Sequence, residues 1–148
     1  MKSRIFHTNS EEETIALGEK IAAELPAHAV VLLIGNLGAG KTTLAKGIVQ
    51  GLGAARPEDV SSPTFTLIHE YSPSVVHIDL YRLDRPEQVA TLGLDEIFER
   101  PAVVLIEWGE KFLELMPRDR IEIRLRTLGE NSRRIELQST MEVTLPPN

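Results

Sequence analysis

The chain has 148 residues and a formal net charge of −6, a size that predicts one domain over residues 1–148. This acidic balance argues against tight independent binding to nucleic acid, although a local basic patch or nucleic acid held by a partner is still compatible with it. The chain has no cysteine, which excludes disulfides, thiolate metal sites and cysteine nucleophiles. The N-terminal residues lack a signal-peptide core and no apolar run could span a bilayer, so we expect a cytoplasmic protein without a membrane partner.

The first third of the chain predicts a strand, a helix, a strand and a second helix. Residues 4–7 suit a short edge strand. Ser10 and Glu13 have the spacing of a capping box, which predicts a helix that begins at Ser10 and stops at Pro26. Residues 30–34 are an uninterrupted apolar run, which is typical of a strand buried on both faces of a parallel sheet. Glycine-rich sequence follows, and residues 42–52 predict the second helix.

The remaining elements alternate between strands and short helices. Strands are predicted at residues 63–71, 75–80 and 102–106, and a helix at 86–98 with a break near Gly93. A short helix is predicted at 110–116, followed by a hairpin at 120–128 and 133–139 at one edge of the sheet. These elements predict an α/β three-layer sandwich whose mixed sheet has parallel central strands and antiparallel edge strands.

The glycine-rich segment matches the phosphate-binding pattern G-x-x-x-x-G-K-[ST] at every defined position. Its residues are Gly35, Asn36, Leu37, Gly38, Ala39, Gly40, Lys41 and Thr42. The glycines allow a tight turn whose amides face an anion, and the following helix adds its positive end. Lys41 can reach the β- and γ-phosphates, the Thr42 hydroxyl is a Mg²⁺ ligand, and Thr43 can reach the α-phosphate. The sequence therefore predicts a P-loop NTPase-like domain that binds ATP with Mg²⁺.

Two carboxylates follow apolar strands and are candidates to complete the metal site. Asp79 follows residues 75–78 and Glu107 follows residues 103–106. Both would lie at the carboxyl ends of their strands, where open α/β sheets bind ligands. The residues alone do not decide which of the two binds the metal and which orients the attacking water.

Three further features have both a functional and a structural interpretation. Residues 61–66 form a Ser/Thr-rich segment after the P-loop helix, and the hydroxyls of Thr64 and Ser62 are its candidates for sensing the γ-phosphate. A polar loop entering a strand explains the same segment equally well. Trp108 is interpreted as a packing residue rather than a ligand platform, and His77 as a structural rather than a catalytic residue of its strand.

Four phrases in this order together resemble the bacterial TsaE family, formerly YjeE. They are the P-loop, S-P-T-F-T-L at 62–67, H-I-D-L-Y-R-L at 77–83 and L-I-E-W at 105–108. The resemblance extends over nearly the whole chain. It implies an ATPase subunit needed for threonylcarbamoylation of the adenosine beside the anticodon in tRNAs that read codons beginning with A.

The resemblance also implies partners and residue roles. The partner is the TsaB–TsaD heterodimer, which performs the transfer, and tRNA is met only through that complex. ATP hydrolysis, slow in the isolated chain, supports turnover of the complex. Thr42 and Glu107 would hold Mg²⁺, and Asp79 would act near the γ-phosphate in hydrolysis. Glu11 and Arg133 would lie near the adenine.

Two alternatives compete with this interpretation. A small-molecule kinase would need a lid or substrate-binding insertion, and residues 81–101 are the only long stretch between strands. A nucleotide-dependent binding switch without significant turnover would keep the same phosphate site. Steady-state ATP turnover separates the switch from the ATPase.

Overall fold

The computed structural model of the protein describes residues 2–140. Within that range seven strands form one sheet: β1 (Lys2–Thr8), β2 (Ala29–Ile34), β3 (Ile68–Ser72), β4 (Val75–Asp79), β5 (Val103–Glu107), β6 (Ile121–Thr127) and β7 (Arg133–Ser139). The connecting helices are α1 (Glu11–Glu24), α2 (Lys41–Gly51), α3 (Pro86–Ala90) and α4 (Leu94–Glu99), with 3₁₀ segments at Pro57–Asp59 and Gly109–Leu115.

The sheet is mixed, with strand order β1-β7-β6-β2-β5-β4-β3. The central strands β6, β2, β5 and β4 are parallel, and the strands outside them are antiparallel to their neighbours. This confirms the predicted sheet. The hairpin β6–β7 exists, but its predicted place at the edge is wrong, because β6 pairs with β2 inside the sheet and β1 covers β7. Apolar and polar residues that alternate along a strand indicate that one of its faces is buried. This pattern does not identify which strands lie beside it in the sheet.

Helices cover both faces of the sheet, which confirms the three-layer sandwich. Along β2, Val31 and Leu33 belong to a core shared with α1 and α2. The alternate residues Val30 and Leu32 belong to a second core, shared with α3, α4 and the segment Gly109–Leu115. The uninterrupted apolar run of β2 is therefore explained by burial on both sides.

The strand predicted at residues 63–71 begins later than expected, since β3 starts at Ile68. The preceding residues form a turn in which the Leu67 amide donates to the Pro63 carbonyl at 2.6 Å. Leu67 has φ 69°, a value incompatible with an extended strand. The helix predicted at residues 86–98 is broken as expected, because Gly93 separates α3 from α4.

Helix α1 starts at the predicted cap. The Glu13 amide donates to Ser10 Oγ at 3.1 Å, and the Glu13 carboxylate accepts from the Asn9 amide at 3.0 Å, one residue before the cap. Two donors at the start of the helix are thereby satisfied. Helix α1 then packs on α2 through glycines, which allow the two backbones to touch.

Gly47→Ala is expected to destabilise the fold by about 2 kcal/mol. The free-energy cost of the steric overlap exceeds the roughly 1 kcal/mol that alanine gains over glycine in helix propensity. A Cβ on Gly47 would lie 2.0 Å from the Ile15 carbonyl oxygen, so α1 and α2 would have to separate. Urea unfolding measures the loss. Gly129→Ala is the control, since an added Cβ there meets open space. Equal stability of the two variants would contradict this packing argument.

Candidate functional site

The glycine-rich segment forms the turn between β2 and α2. The Ala39 amide donates to the Asn36 carbonyl at 3.0 Å, which closes the turn. Gly40 has φ 100°, a left-handed conformation that glycine adopts at little cost. In the described part of the chain, no side chain caps the start of α2. The amides of its first turn are therefore available to an anion.

Lys41 is the buried cation of this turn. Its Nζ donates to the Gly35 carbonyl at 2.7 Å and lies 3.5 Å from the centre of the Trp108 ring. Burial lowers the pKa of Lys41, and the charges of Glu107, Glu110 and Asp79 oppose that shift. A carbonyl oxygen and an indole face hold this ammonium.

The two candidate carboxylates lie side by side at the ends of β4 and β5. Asp79 and Glu107 are register partners, and their residues are only 1% and 3% exposed. Glu107 accepts from the Thr42 hydroxyl, with distances of 3.3 and 3.5 Å to its two oxygens, and lies 2.7 Å from His77 Nε2. The structure thus brings together Thr42 and Glu107, the two residues predicted to hold the metal.

Asp79 is bonded to the Ser/Thr-rich segment rather than to Thr42. Its Oδ2 accepts from the hydroxyls of Ser62 at 2.6 Å and Thr64 at 3.0 Å. Its Oδ1 accepts from the Tyr81 amide at 2.8 Å. Both oxygens of this buried carboxylate are therefore engaged, and one is bonded to residues 61–66. Asp79 and Thr64 lie in one hydrogen-bonded group.

These residues surround one cleft of about 570 Å³. The predicted site residues that line it are Glu11, Leu37, Gly38, Gly40, Lys41, Thr42, Thr43, Thr64, Asp79, Glu107 and Arg133. Asn36 and Ala39 were also predicted to touch the ligand but do not line the cleft, and their backbone groups close the turn instead. Residues from the first helix, such as Glu11, and from the last hairpin, such as Arg133, therefore line one cleft with the P-loop.

Arg133 joins the hairpin to the P-loop. Its Nε donates to the Ala39 carbonyl at 3.1 Å, and its Nη1 donates to the Ser132 carbonyl at 3.0 Å. Glu11 lies in the same cleft, so these two residues predicted near the adenine are brought together. Arg133 is nevertheless bonded to backbone oxygens, which supports the shape of the loop.

Three residues near the site were missed or interpreted only as structural. Trp108 lines the cleft with φ 66°, a left-handed conformation that no sequence pattern indicated. His77 is a strand residue as predicted, but it also contacts Glu107. Its spacing of two residues from Asp79 on a strand places both on one face, a signal that could have linked His77 to the site. Glu110 was assigned no role.

Glu110 is a partly buried carboxylate whose Oε1 has no hydrogen-bond partner among the described residues. Burial raises the pKa of Glu110 above its usual 4.5, against smaller opposing effects of its own amide and of Lys41. The folded protein therefore keeps a proton on Glu110 to higher pH than the unfolded chain. Stability from this group is lost as pH rises from about 4.5 through the raised pKa.

Glu110→Gln is expected to stabilise the protein at pH 7, because it replaces a carboxylate whose charge burial disfavours with a neutral amide of the same shape. The difference should shrink as pH falls to the ordinary carboxyl range, where the wild-type side chain is also neutral. Thermal unfolding from pH 4 to pH 7 measures it, with Glu114→Gln on the exposed surface as the control. A stabilisation that is constant with pH would refute the assignment.

The donor set fits Mg²⁺ better than a transition metal. Within residues 2–140 no group of three or more His, Cys, Asp or Glu side chains is arranged to hold a metal. Thr42 and Glu107 provide a hydroxyl and a carboxylate within 3.3 Å of each other. Mg²⁺ is commonly bound by one or two such protein oxygens together with substrate phosphates.

These features define the P-loop class of proteins. They are a buried parallel strand, a glycine-rich turn, a helix N-terminus with lysine and threonine, and a carboxylate on a neighbouring strand, and this chain has all four. The sequence profile of the family described as "Threonylcarbamoyl adenosine biosynthesis protein TsaE" matches residues 8–135. The chain belongs to this family.

Individual relatives agree with that assignment. The tRNA threonylcarbamoyladenosine biosynthesis protein TsaE of Bacillus subtilis is 41% identical over 138 residues, 91% of this chain and 85% of the relative. The TsaE protein of Haemophilus influenzae is 40% identical over 145 residues, 93% of this chain and 90% of the relative. The crystal structure of Bacillus subtilis YdiB matches with a TM-score of 0.79 at 35% identity, covering 95% of this chain and 87% of that one.

None of the helices in the described range has the length and apolar character needed to cross a membrane.

Proposed function

We propose that this protein binds ATP with Mg²⁺ and hydrolyses it slowly, as a subunit required for threonylcarbamoylation of tRNA adenosine in the cytoplasm. The observation that carries the proposal is the approach of Thr42, at the start of the P-loop helix, to the buried carboxylate of Glu107, at 3.3 Å. The names of the relatives support the pathway, since they are described as tRNA threonylcarbamoyladenosine biosynthesis proteins.

Different residues of the cleft are assigned to the phosphates and to the metal ion. The amides at the start of α2 and the Lys41 ammonium bind phosphate oxygens, and Lys41 exchanges its bond to the Gly35 carbonyl for them. Thr42 and Glu107 would hold Mg²⁺, which would supply positive charge against the phosphates of the nucleotide.

Asp79 is assigned to orienting water for hydrolysis. Its carboxylate is buried beside Glu107 but bonded to Ser62 and Thr64. Oδ2 accepts two hydrogen bonds and Oδ1 accepts one, so Oδ1 keeps a lone pair that can accept from a water. We propose that the bonds from Ser62 and Thr64 fix the direction of this carboxylate, and that residues 61–66 rearrange before hydrolysis, which would make the isolated chain slow.

The proposed partner is the TsaB–TsaD heterodimer, and tRNA is reached only through it. Phe65 is 81% exposed and Leu37 is 68% exposed, and both belong to segments that border the cleft. Exposed large apolar side chains beside a site suit contact with a protein partner. The net charge of −6 disfavours independent binding of the tRNA backbone.

The kinase alternative is disfavoured by the long stretch between β4 and β5. That stretch contains α3 and α4, and its residues Val89, Leu94 and Ile97 are buried in the second core. A segment packed in the core is not free to act as a lid.

The decisive experiment measures steady-state ATP turnover by the isolated chain and with the purified TsaB–TsaD heterodimer, together with formation of the modified nucleoside. We expect slow turnover alone and clear acceleration in the complex. Phe65→Ala should reduce the acceleration without changing turnover of the isolated chain, whereas Leu113→Ala, an exposed apolar control, should change neither. Full turnover by the isolated chain, unaltered by the heterodimer, would contradict the proposal.

A further inference from the structure

His77 is a fully buried imidazole in direct contact with a candidate metal ligand. Its exposure is 0%, and its Nε2 lies 2.7 Å from Glu107 Oε2. The hydroxyl of Thr42 approaches the same carboxylate at 3.3 Å from Oε2. Glu107 is thus held between a residue of β4 and the first turn of α2. His77 itself does not line the cleft.

The sheet register explains this position. His77 pairs with Leu105, and Asp79 pairs with Glu107 across the parallel strands β4 and β5. Side chains two residues apart on a strand share a face, so His77 stands beside Glu107 on the face that carries α2. The imidazole therefore reaches Glu107 from within the core, behind the carboxylate as seen from the cleft.

In the contact between His77 and Glu107, the imidazole is the donor and the carboxylate is the acceptor. A carboxylate only accepts, so Nε2 carries the hydrogen and donates it. Nδ1 is buried and has no partner among the described residues, and a hydrogen there would be an unpaired donor. An aliphatic side chain would fill this space without an unpaired nitrogen. The imidazole therefore provides a directed donor for Glu107 at some cost in stability.

We propose that His77 is a positioning residue, which fixes the Glu107 carboxylate so that Glu107 and Thr42 present oxygens to one Mg²⁺. This inference rests on the proposed function, since it requires that these two residues bind Mg²⁺ with the nucleotide. Partners that orient metal ligands typically contribute about 10–100-fold to metal affinity. His77 then acts through Glu107 and touches neither the ion nor the nucleotide.

The test is a Mg²⁺ titration of ADP binding, followed by calorimetry, with a parallel measurement of ADP affinity in EDTA. His77→Leu removes the donor but keeps an apolar side chain of similar size, and His77→Gln restores a donor near the position of Nε2. Val75→Ala is the matched control, because Val75 is buried on the same strand and the same face.

We expect His77→Leu to raise, by about 10–100-fold, the Mg²⁺ concentration that gives half of the change in ADP affinity. His77→Gln and Val75→Ala should stay near wild type, and ADP affinity in EDTA should be unchanged in all three.

Three results would overturn the inference, and the first of them leaves the proposed function intact. If wild type shows Mg²⁺-dependent binding and folded His77→Leu keeps the same half-effect concentration, this inference fails and the proposed function stands. If wild-type ADP binding does not respond to Mg²⁺, both fail. If His77→Leu does not fold, His77→Gln is compared with His77→Asn, whose shorter amide does not reach Glu107. Equal Mg²⁺ dependence in these two variants overturns the inference.

Discussion

Lys41→Ala is expected to weaken ATP and ADP binding by about 1.5–3 kcal/mol, a factor of roughly 10–150, because it removes charge-assisted bonds to the phosphates. The fold should survive, since Lys41 lines the cleft and its ammonium makes one hydrogen bond within the protein, to the Gly35 carbonyl, besides its contact with the Trp108 ring. Calorimetric titration with each nucleotide measures the loss. Trp108 is the single tryptophan of the chain and touches Lys41, so its emission gives a second reading.

Lys46→Ala is the matched control for that variant. Lys46 belongs to the same helix, α2, but does not line the cleft. Its removal subtracts the same charge from the protein, so any long-range electrostatic effect on an anionic ligand appears in both variants. Equal affinities of the Lys41 and Lys46 variants would refute the assignment of Lys41 to the phosphates.

Asp79→Asn is expected to lower the rate of ATP hydrolysis by about 10²–10⁴-fold, the usual contribution of a positioned acid or base. ADP affinity should change little, because Asp79 contacts Ser62, Thr64 and the Tyr81 amide rather than the P-loop. Asparagine can keep the bond from the Tyr81 amide through its oxygen, so the local fold is preserved. Single-turnover hydrolysis with the partner heterodimer present measures the rate.

The comparison with Glu107→Gln separates the roles of the two carboxylates. Glu107→Gln should weaken the Mg²⁺ dependence of nucleotide binding, since it removes the charge of a hard oxygen ligand. Asp79→Asn should leave that dependence close to wild type. The reverse pattern, with Mg²⁺ dependence lost in Asp79→Asn and kept in Glu107→Gln, would exchange the two assignments.

Local sequence patterns predicted the parts of the site that lie within one segment. The P-loop is continuous in the chain, and its glycines, Lys41 and Thr42 occupy the turn and helix start that the pattern requires. The approach of Asp79 to Glu107 was also predictable, because both end parallel strands of one sheet.

Contacts between distant segments were not predictable in the same way. Arg133 reaches the P-loop carbonyls from the far hairpin, and no pattern in either segment specifies that contact. The hydroxyls of Ser62 and Thr64 turn to Asp79 because the chain makes a tight turn before β3, whereas the sequence predicted a strand that begins at residue 63. Trp108 adopts a left-handed backbone, which is uncommon for a bulky residue and which no local sequence pattern indicates.

The position of β2 at the centre of the sheet has a consequence for the order of folding. Both neighbours of β2, β5 and β6, come from residues after 102, while the phosphate-binding turn follows β2 directly at residue 35. Pairings between such distant segments close slowly because large loops must be ordered first. On the ribosome, the P-loop therefore emerges long before the strands that support it. Glu107 on β5 and Arg133 on β7 are synthesised only after most of the described chain has been made. The cleft is therefore completed late in folding.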